Sequence, residues 1–239
     1  MACITALTVQ STLGVLAVEP VSARTVSETL RSLSGDVRFA AIKIGMLATG
    51  EIASVVAAFL KGQSGLAKVP VVLDPILRSS SGAELLDAAG QVVLRNDLLA
   101  LVDWITPNLQ ELAALTGRAV TQTREETEAS GQVLLELAAK LGNPTLRVVV
   151  TGGHAARPDD LLMSLNAGSH WFPGQHIATQ ATHGTGCTFS SALAARLALG
   201  NADRSAVEAA KSYVAGAMRA ADPIGQGHGP VDHFWNFGV

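Results

Sequence analysis

The sequence predicts an α/β protein whose mostly parallel sheet is covered by helices on both faces. Short runs of β-branched residues alternate with longer stretches rich in Ala and Leu, a pattern typical of such a sheet. Apolar residues make up 48% of the 239 residues and charged residues only 15%, so a large core is available. Polar residues follow the ends of the β-branched runs, where open α/β sheets bind ligands.

The strand predictions depend on short apolar runs that are bounded by turn-forming residues. The N-terminal segment is predicted as a strand that ends at Gln10. Further strands are predicted at residues 39–44, 69–73, 101–105 and 147–150, with a hairpin at 161–165 and 169–172. Right-handed crossovers would bring the carboxyl ends of the parallel strands to one edge of the sheet.

The helix predictions depend on the Ala- and Leu-rich stretches between these runs. Helices are predicted at residues 22–34, 51–61, 83–99, 109–116 and 124–141, followed by 188–199 and 202–221. No stretch has the composition of a linker, so we predict one domain over residues 1–239.

Charge and cysteine content exclude several classes of protein. The net charge is -3 and Lys and Arg do not cluster, which argues against nucleic acid as a partner. Only Cys3 and Cys187 are present, without a C-x-x-C pair, so neither a disulfide framework nor a thiolate zinc site is expected and a reducing cytoplasm fits best. No Lys or Arg precedes Arg24, which argues against a signal peptide, and no apolar run is long enough to span a membrane.

The segment 182–187, THGTGC, predicts an anion site at the start of a helix. Amides at a helix N-terminus have no intrahelical partner and favour an anion such as phosphate. Gly184 and Gly186 allow close approach of the backbone, and Thr185 offers a hydroxyl. The helix field is expected to lower the pKa of Cys187 and make it a base or nucleophile. The alternative is a Gly-rich N-cap with a buried structural cysteine.

Asp74 closes the buried run VPVVLDP, where Pro75 stops the strand and leaves a carboxylate at the sheet edge. A metal–phosphate complex needs a carboxylate there, directly or through water. Asp-Pro is also a common start of a turn, which is the alternative interpretation.

The segment 106–111, TPNLQE, is expected to start a helix with Thr106 as N-cap and Pro107 as the first helical residue. The N3 position is then Leu109, so capping does not explain Glu111. Asn108 and Glu111 would share a helical face and could together order water around a metal ion. A solvated helix start with favourable negative charge is the alternative.

Three further polar or polarizable positions allow two interpretations each. The Gln10 amide could pair with a heteroaromatic ring, and Met46, after Gly45, could lie on that ring, although most such residues have no role of this kind. Lys211 could lend charge to a phosphate or form a surface pair with Glu208. The histidines do not show the spacing of a metal site. Near the C-terminus, GQGHGPVDHF indicates a surface loop that passes close to a ligand or to another part of the backbone.

Eight segments occur in the order found in one family: TALTVQST, KIGML, LDPILRSSSG, ITPNLQEL, VVVTGGH, THGTGC, AAKSYVAGA and GHGPVDHF. Together they resemble the hydroxymethylpyrimidine/phosphomethylpyrimidine kinases of thiamine biosynthesis, within the ribokinase-like superfamily. The resemblance implies a three-layer α/β/α fold, ATP and Mg²⁺ as cofactors, and a homodimer. It also implies transfer of the ATP γ-phosphate to a pyrimidine hydroxymethyl group and then to the resulting monophosphate.

The resemblance also implies roles for individual residues. The implied sites are Gln10, Gly45 and Met46 for the pyrimidine, Asp74 and Glu111 for Mg-ATP, Thr151, Gly153, Thr182 and Lys211 for the nucleotide, and Gly184, Thr185 and Gly186 for the transferred phosphoryl group. Many sugar kinases of the superfamily carry Asp where this chain has Cys187, so the cysteine favours a pyrimidine over a sugar.

Two departures from the family pattern bear on activity. Thr151 stands where many relatives have Lys, so phosphate neutralisation is expected to depend on Mg²⁺, Lys211 and backbone amides. The family's first strand, D-S-G-G-A-G-like loop and helix would precede residue 1, so we expect either a longer protein or a form with weak or no kinase activity. These departures leave a non-catalytic ligand-binding or interaction protein as an alternative. A pyridoxal kinase, which uses a similar ring site, is the other alternative.

Overall fold

A computed structural model describes residues 1–63, 69–79, 81–153 and 157–237. A six-stranded sheet has its strands in chain order: Ile42–Ile44 (β3), Val71–Leu73 (β4), Trp104–Ile105 (β5), Arg147–Val150 (β6), Asp160–Ser164 (β7) and Gly168–Phe172 (β8). The first four of these strands are parallel to one another, whereas β7 pairs antiparallel with both β6 and β8. The expectation of a mostly parallel central sheet is confirmed.

Seven helices cover the described part of this sheet: Ala23–Asp36 (α1), Gly50–Gly62 (α2), Ala88–Asn96 (α3), Leu109–Thr116 (α4), Arg124–Lys140 (α5), Thr185–Ala198 (α6) and Asp203–Ala220 (α7). Alternate strand residues face different helical layers. Leu73 and Ile105 lie in a core with α1 to α5, whereas Val72 and Trp104 lie in a second core with α6 and α7. The three-layer α/β/α prediction is therefore correct.

The predicted elements differ from the observed ones mainly at their ends. Helix α3 begins at Ala88 after its N-cap Asp87, because the Asp87 side chain accepts a hydrogen bond from the Gly90 amide. The predicted helix at 83–99 thus began too early, and its end is a 3₁₀ turn at Leu98–Ala100.

The N-terminal segment forms a hairpin rather than a single strand. Ala6–Ser11 (β1) and Gly14–Pro20 (β2) pair antiparallel in a two-stranded sheet that is separate from the main sheet. Contacts between the hairpin region and the main body include the bond that Thr5 Oγ1, just before β1, donates to the Met46 carbonyl over 2.6 Å. Within the described ranges, no helix has the length and apolar character needed to cross a membrane.

Candidate active site

A buried polar cluster lies where β3 and β4 end. Asp74 directly follows β4 and is only 5% exposed. Ser190 Oγ donates to its Oδ2 atom over 2.9 Å, and Lys43 Nζ lies 3.6 Å from the same oxygen. Burial raises the pKa of Asp74, whereas the positive charge of Lys43 acts in the opposite direction. The carboxylate is therefore held in place by one cation and one hydroxyl.

Helix α6 starts beside this cluster with a row of free amides. Gly184 is its N-cap with φ 78°, a left-handed conformation that favours glycine. The first helical hydrogen bond runs from the Thr188 amide to the Gly184 carbonyl at 2.8 Å. The amides of Thr185, Gly186 and Cys187 therefore precede the helical ladder, as the anion-site prediction requires. The Thr185 hydroxyl donates to the Thr182 carbonyl over 3.2 Å, so it supports the loop.

The expected low pKa of Cys187 is wrong. Burial by the surrounding protein and the negative charge of Asp74 raise the pKa of this thiol to about 11. Although part of the residue is open to solvent, both causes act in the same direction. Burial, together with the negative charges of Asp74 and Glu111, outweighs the field of the helix start at this thiol.

The start of α4 also differs from its prediction. The N-cap is Asn108 rather than Thr106, and Glu111 is therefore the N3 residue of a capping box. The Asn108 amide donates to Glu111 Oε2 over 2.9 Å, and the Glu111 amide donates to Asn108 Oδ1 over 2.8 Å. Capping thus explains the pair, because Pro107 precedes the helix instead of opening it.

Besides its capping role, Glu111 is a buried carboxyl group with a raised pKa. It is only 8% exposed, and burial raises its pKa to about 8 although the Asn108 amide donates to it; the charge of Asp74 raises it further. Two buried carboxylates that repel each other fit a divalent cation, since carboxylate oxygens are preferred ligands of Mg²⁺. Among the described residues no group of three or more His, Cys, Asp or Glu side chains is arranged to hold a metal ion. Asp74 and Glu111 could therefore supply only part of the coordination of such an ion, with water or substrate as the other ligands.

Comparison with known proteins identifies the family of this site. The family described as phosphomethylpyrimidine kinase matches residues 1–232. A hydroxymethylpyrimidine/phosphomethylpyrimidine kinase of Haemophilus influenzae is 38% identical over 236 residues, which cover 97% of this chain and 84% of the relative. The chain belongs to the phosphomethylpyrimidine kinase family.

Solved structures agree with this membership. A phosphomethylpyrimidine kinase of Clostridium difficile 630 has a TM-score of 0.74 and 30% identity, covering 90% of this chain and 84% of its own. An ADP complex of Bacillus subtilis pyridoxal kinase has a TM-score of 0.83 and 28% identity, covering 100% and 88%. The fold is thus shared by kinases whose names specify two different ring substrates.

The predicted acceptor residues of this phosphomethylpyrimidine kinase family member lie in β1 and directly after β3. The Gln10 amide nitrogen is 3.3 Å from Nε2 of His183, which places β1 next to the loop that starts α6. Met46 is partly buried and its carbonyl accepts from Thr5. A Cβ built at Gly45 would lie 2.5 Å from Lys43 Nζ, so glycine at this position leaves room for the ammonium group.

Two of the predicted nucleotide residues, Thr151 and Gly153, follow the end of β6, whereas Thr182 lies in the segment before α6. The Thr151 amide donates to the Pro107 carbonyl over 2.9 Å, which joins the ends of β5 and β6. Gly153 is exposed with open space at its Cβ position. Thr182 Oγ1 lies 2.9 Å from His228 Nδ1. His154 of the VVVTGGH motif and Ser80 of LDPILRSSSG lie outside the described residues.

Lys211 is bound elsewhere than predicted. Its Nζ donates to Asp160 Oδ2 over 2.7 Å and to the Pro158 carbonyl over 2.8 Å, so the surface pair with Glu208 is wrong. Asp160 is buried, and its Oδ1 atom accepts from the Gly152 amide over 3.0 Å. Lys211 is therefore already committed to an ion pair that supports the turn after β6.

Sequence reasoning missed three functional candidates: Lys43, Ser190 and Asp160. Lys43 lies in the middle of β3, beside the strand that Asp74 follows, and had a visible signal, since a buried strand rarely carries a lysine without a partner. Ser190 lies three residues after Cys187 and so shares its helical face, which was a second signal. Asp160 gave no signal, because its partner is 51 residues away in sequence.

Proposed function

We propose that this protein transfers the γ-phosphate of ATP to 4-amino-5-hydroxymethyl-2-methylpyrimidine and then to its monophosphate, as in thiamine biosynthesis. The observation that carries the proposal is the row of free amides at Thr185, Gly186 and Cys187 beside the buried carboxylates. Family membership supports the same reaction. Phosphoryl transfer needs mainly positioning and neutralisation of charge, which these groups can supply.

The phosphate side of the site would use backbone and cation together. The amides at the start of α6 point their partial positive charge at the migrating phosphoryl group. Glu111 directly, and Asp74 through water, would hold Mg²⁺, which when bound supplies positive charge to the phosphates. Lys43, whose side chain is only 22% exposed, lies next to these groups. It would neutralise phosphate charge, which is the role that the sequence analysis expected of Lys211.

Cys187 would handle the proton of the acceptor hydroxyl. Because the pKa of its thiol is about 11, the sulfur carries a proton at neutral pH. It can accept the hydroxyl proton only as its own proton leaves, and the Asp74 carboxylate beside it can receive that proton. Cys187 thus acts as a relay between acceptor and carboxylate.

The acceptor ring would lie between the hairpin and β3. Gln10 offers an amide that can pair with ring nitrogen and amino groups, and Met46 offers a polarizable surface. Thr151, Gly153 and Thr182 would line the nucleotide, with Thr151 contributing no positive charge. We further propose a homodimer located in the cytoplasm, as the resemblance and the scarcity of cysteine imply.

A coupled assay of ADP formation with the purified protein tests the proposal. ADP is expected to form when the hydroxymethylpyrimidine is added, and Cys187→Ala is expected to lose most of this rate. Cys3→Ala serves as the control because Cys3 packs against the core away from the cluster, near Val26. Binding of ADP or pyrimidine without turnover would instead indicate a non-catalytic binding protein, and an unchanged rate in Cys187→Ala would remove the relay.

Pyridoxal kinase activity is the second candidate, because the ADP complex of a pyridoxal kinase superposes with a TM-score of 0.83. Both acceptors are planar heteroaromatic rings with a hydroxymethyl group, so the same Gln10 and Met46 contacts suit either one. The ratio of kcat/KM for pyridoxal and for hydroxymethylpyrimidine decides between them. A ratio in favour of pyridoxal would overturn the leading proposal while leaving phosphoryl transfer intact.

A further inference from the structure

The C-terminal loop at residues 225–229, which we name the clasp loop, lies between the hairpin and the loop that precedes α6. The hairpin has no strand pairing with the main sheet among the described residues, and an isolated two-stranded hairpin is marginally stable in water. Its position over the site must therefore come from other contacts. The clasp loop supplies several of them.

On the hairpin side, the clasp loop meets the turn at Thr12. The His228 amide donates to the Thr12 carbonyl over 2.8 Å, and the Gly227 amide donates to Thr12 Oγ1 over 3.3 Å. A Cβ at Gly227 would lie 2.1 Å from the Thr12 carbonyl oxygen, and one at Gly225 would lie 2.3 Å from Thr12 Oγ1. Gly227 is therefore required by the close approach of the Thr12 backbone, whereas Gly225 meets the Thr12 side chain and has a left-handed φ of 72° that favours glycine.

On its other side, the clasp loop holds the segment that leads into α6. The His183 amide donates to the Gly229 carbonyl over 3.0 Å, and the Gly229 amide donates to the Gln180 carbonyl over 3.1 Å. The His228 side chain adds the contact of 2.9 Å with Thr182. One short loop thus binds both the hairpin turn and residues 180–184 before α6, which we name the phosphate loop.

The end of the clasp loop is itself anchored in the main body. Val231 is buried, and the Asp232 amide donates to the Ala217 carbonyl of α7 over 3.0 Å. Tyr213 of the same helix donates its hydroxyl to the His233 carbonyl over 2.6 Å. Because α7 packs on α6, the loop projects from a rigid base toward the hairpin.

We propose that Gly227 and His228 are positioning residues that fix the hairpin, and with it Gln10, relative to the phosphate loop. The inference rests on the proposed function, in which Gln10 contacts the acceptor ring. Gln10 already touches this loop through His183. Displacement of the hairpin would therefore change acceptor binding more than nucleotide binding.

Gly227→Ala tests the proposal, with Gly229→Ala as the matched control. Neither glycine has the left-handed φ that would strain alanine, and they differ in what a Cβ meets: 2.1 Å to Thr12 O for Gly227, but 3.3 Å to Ile224 O for Gly229. Hydrogen–deuterium exchange of residues 6–20 is expected to accelerate in Gly227→Ala and to stay near wild type in Gly229→Ala. Equal exchange in the two variants would overturn the proposal.

Ligand binding gives the second readout. By calorimetry, the Kd for hydroxymethylpyrimidine is expected to rise about tenfold or more in Gly227→Ala, since small displacements of a positioning group cost up to ~100-fold. The Kd for ADP is expected to stay within about twofold. An equal loss for both ligands would indicate general disruption and contradict the proposal.

His228→Ala covers the case in which Gly227→Ala fails to fold. The His228 side chain is exposed, so its removal spares the core. Faster exchange at residues 180–184 and weaker pyrimidine binding are expected, and no change in either would contradict the proposal. If the unsubstituted protein binds no pyrimidine at all, the proposed function fails, whereas the exchange comparison still decides whether the clasp loop holds the hairpin.

Discussion

The hydroxyl of Ser190 donates a hydrogen bond to Asp74 Oδ2 across 116 residues of sequence. Ser190 is fully buried in α6, and Asp74 follows β4. This bond joins the helix that presents the free amides to the strand that presents the carboxylate. The Ser190 side chain therefore fixes the distance between the first amides of α6 and the Asp74 carboxylate, although Ser190 is itself neither a predicted phosphate ligand nor a predicted metal ligand.

We expect Ser190→Ala to lower both stability and turnover. A buried acceptor that loses a donor costs about 1–3 kcal/mol, and a carboxylate that can rotate no longer holds its geometry. A fall in kcat of about tenfold or more is expected. Ser191→Ala is the control, because Ser191 is the neighbouring residue on the exposed face. Steady-state kinetics and thermal unfolding would measure the two effects, and equal kcat in both variants would contradict the positioning role.

The Cys187 thiol should titrate well above neutral pH. Because its pKa is raised to about 11, the thiolate fraction is expected to grow about tenfold for each pH unit from neutrality up to that value. Ultraviolet absorbance of the thiolate, or the rate of iodoacetamide alkylation, would follow this in a Cys3→Ser background. Asp74→Asn removes a negative neighbour and is expected to lower the midpoint. A midpoint near neutrality in the unsubstituted site would contradict the assigned electrostatics.

Regular elements were predictable because periodicity and caps are local. The end of α4 at Thr116 and both ends of β6 at Arg147–Val150 were predicted correctly, since a glycine C-cap and turn residues bound them. The hairpin was partly missed because its turn at Thr12 and Leu13 lacks the usual glycine or asparagine pair, and Gly14 comes one position later.

The sequence predicted which residues would lie together at the candidate site, but it did not predict the pKa of Cys187. Residues at strand ends are brought together by topology, so Asp74, Glu111 and Cys187 could be placed from sequence. The direction of the Cys187 pKa shift depends first on burial and then on the nearest charges, and both are set by the three-dimensional fold. For the same reason the partner of Lys211 could not be predicted, because Asp160 follows a turn that sequence spacing does not locate.

Stability should fall as pH rises through neutrality because of Glu111. Its folded-state pKa is raised from 4.5 to about 8, so between these values the folded state binds a proton that the unfolded state has lost. The contribution is fully present below pH 4.5 and is lost as pH rises through 8, with a limiting slope of about 1.4 kcal/mol per pH unit. Glu111→Gln keeps the capping box and is expected to flatten this part of the profile.

Glu126→Gln is the matched control for this measurement. Glu126 is the N3 residue of the capping box of α5, paired with Thr123, but it is exposed. Urea unfolding at several pH values in the presence of EDTA would compare the two variants without a divalent ion. The same pH slope in Glu111→Gln and in the unsubstituted protein would show that another group is responsible.

Lys211 should contribute to stability through Asp160 rather than to nucleotide binding through its charge. Breaking a buried pair leaves one uncompensated charge, so Lys211→Met is expected to lower the free energy of unfolding by about 3–5 kcal/mol. Adding Asp160→Leu removes the stranded carboxylate and is expected to restore part of this loss, whereas Glu208→Gln on the same helix should have little effect. Urea unfolding measures the stabilities, and calorimetry with ADP separates the two roles. The contradicting outcome is that Lys211→Met weakens ADP binding and that the double variant regains stability but not affinity for ADP. The fold would then be restored without the charge, so the Lys211 ammonium would be acting on the nucleotide.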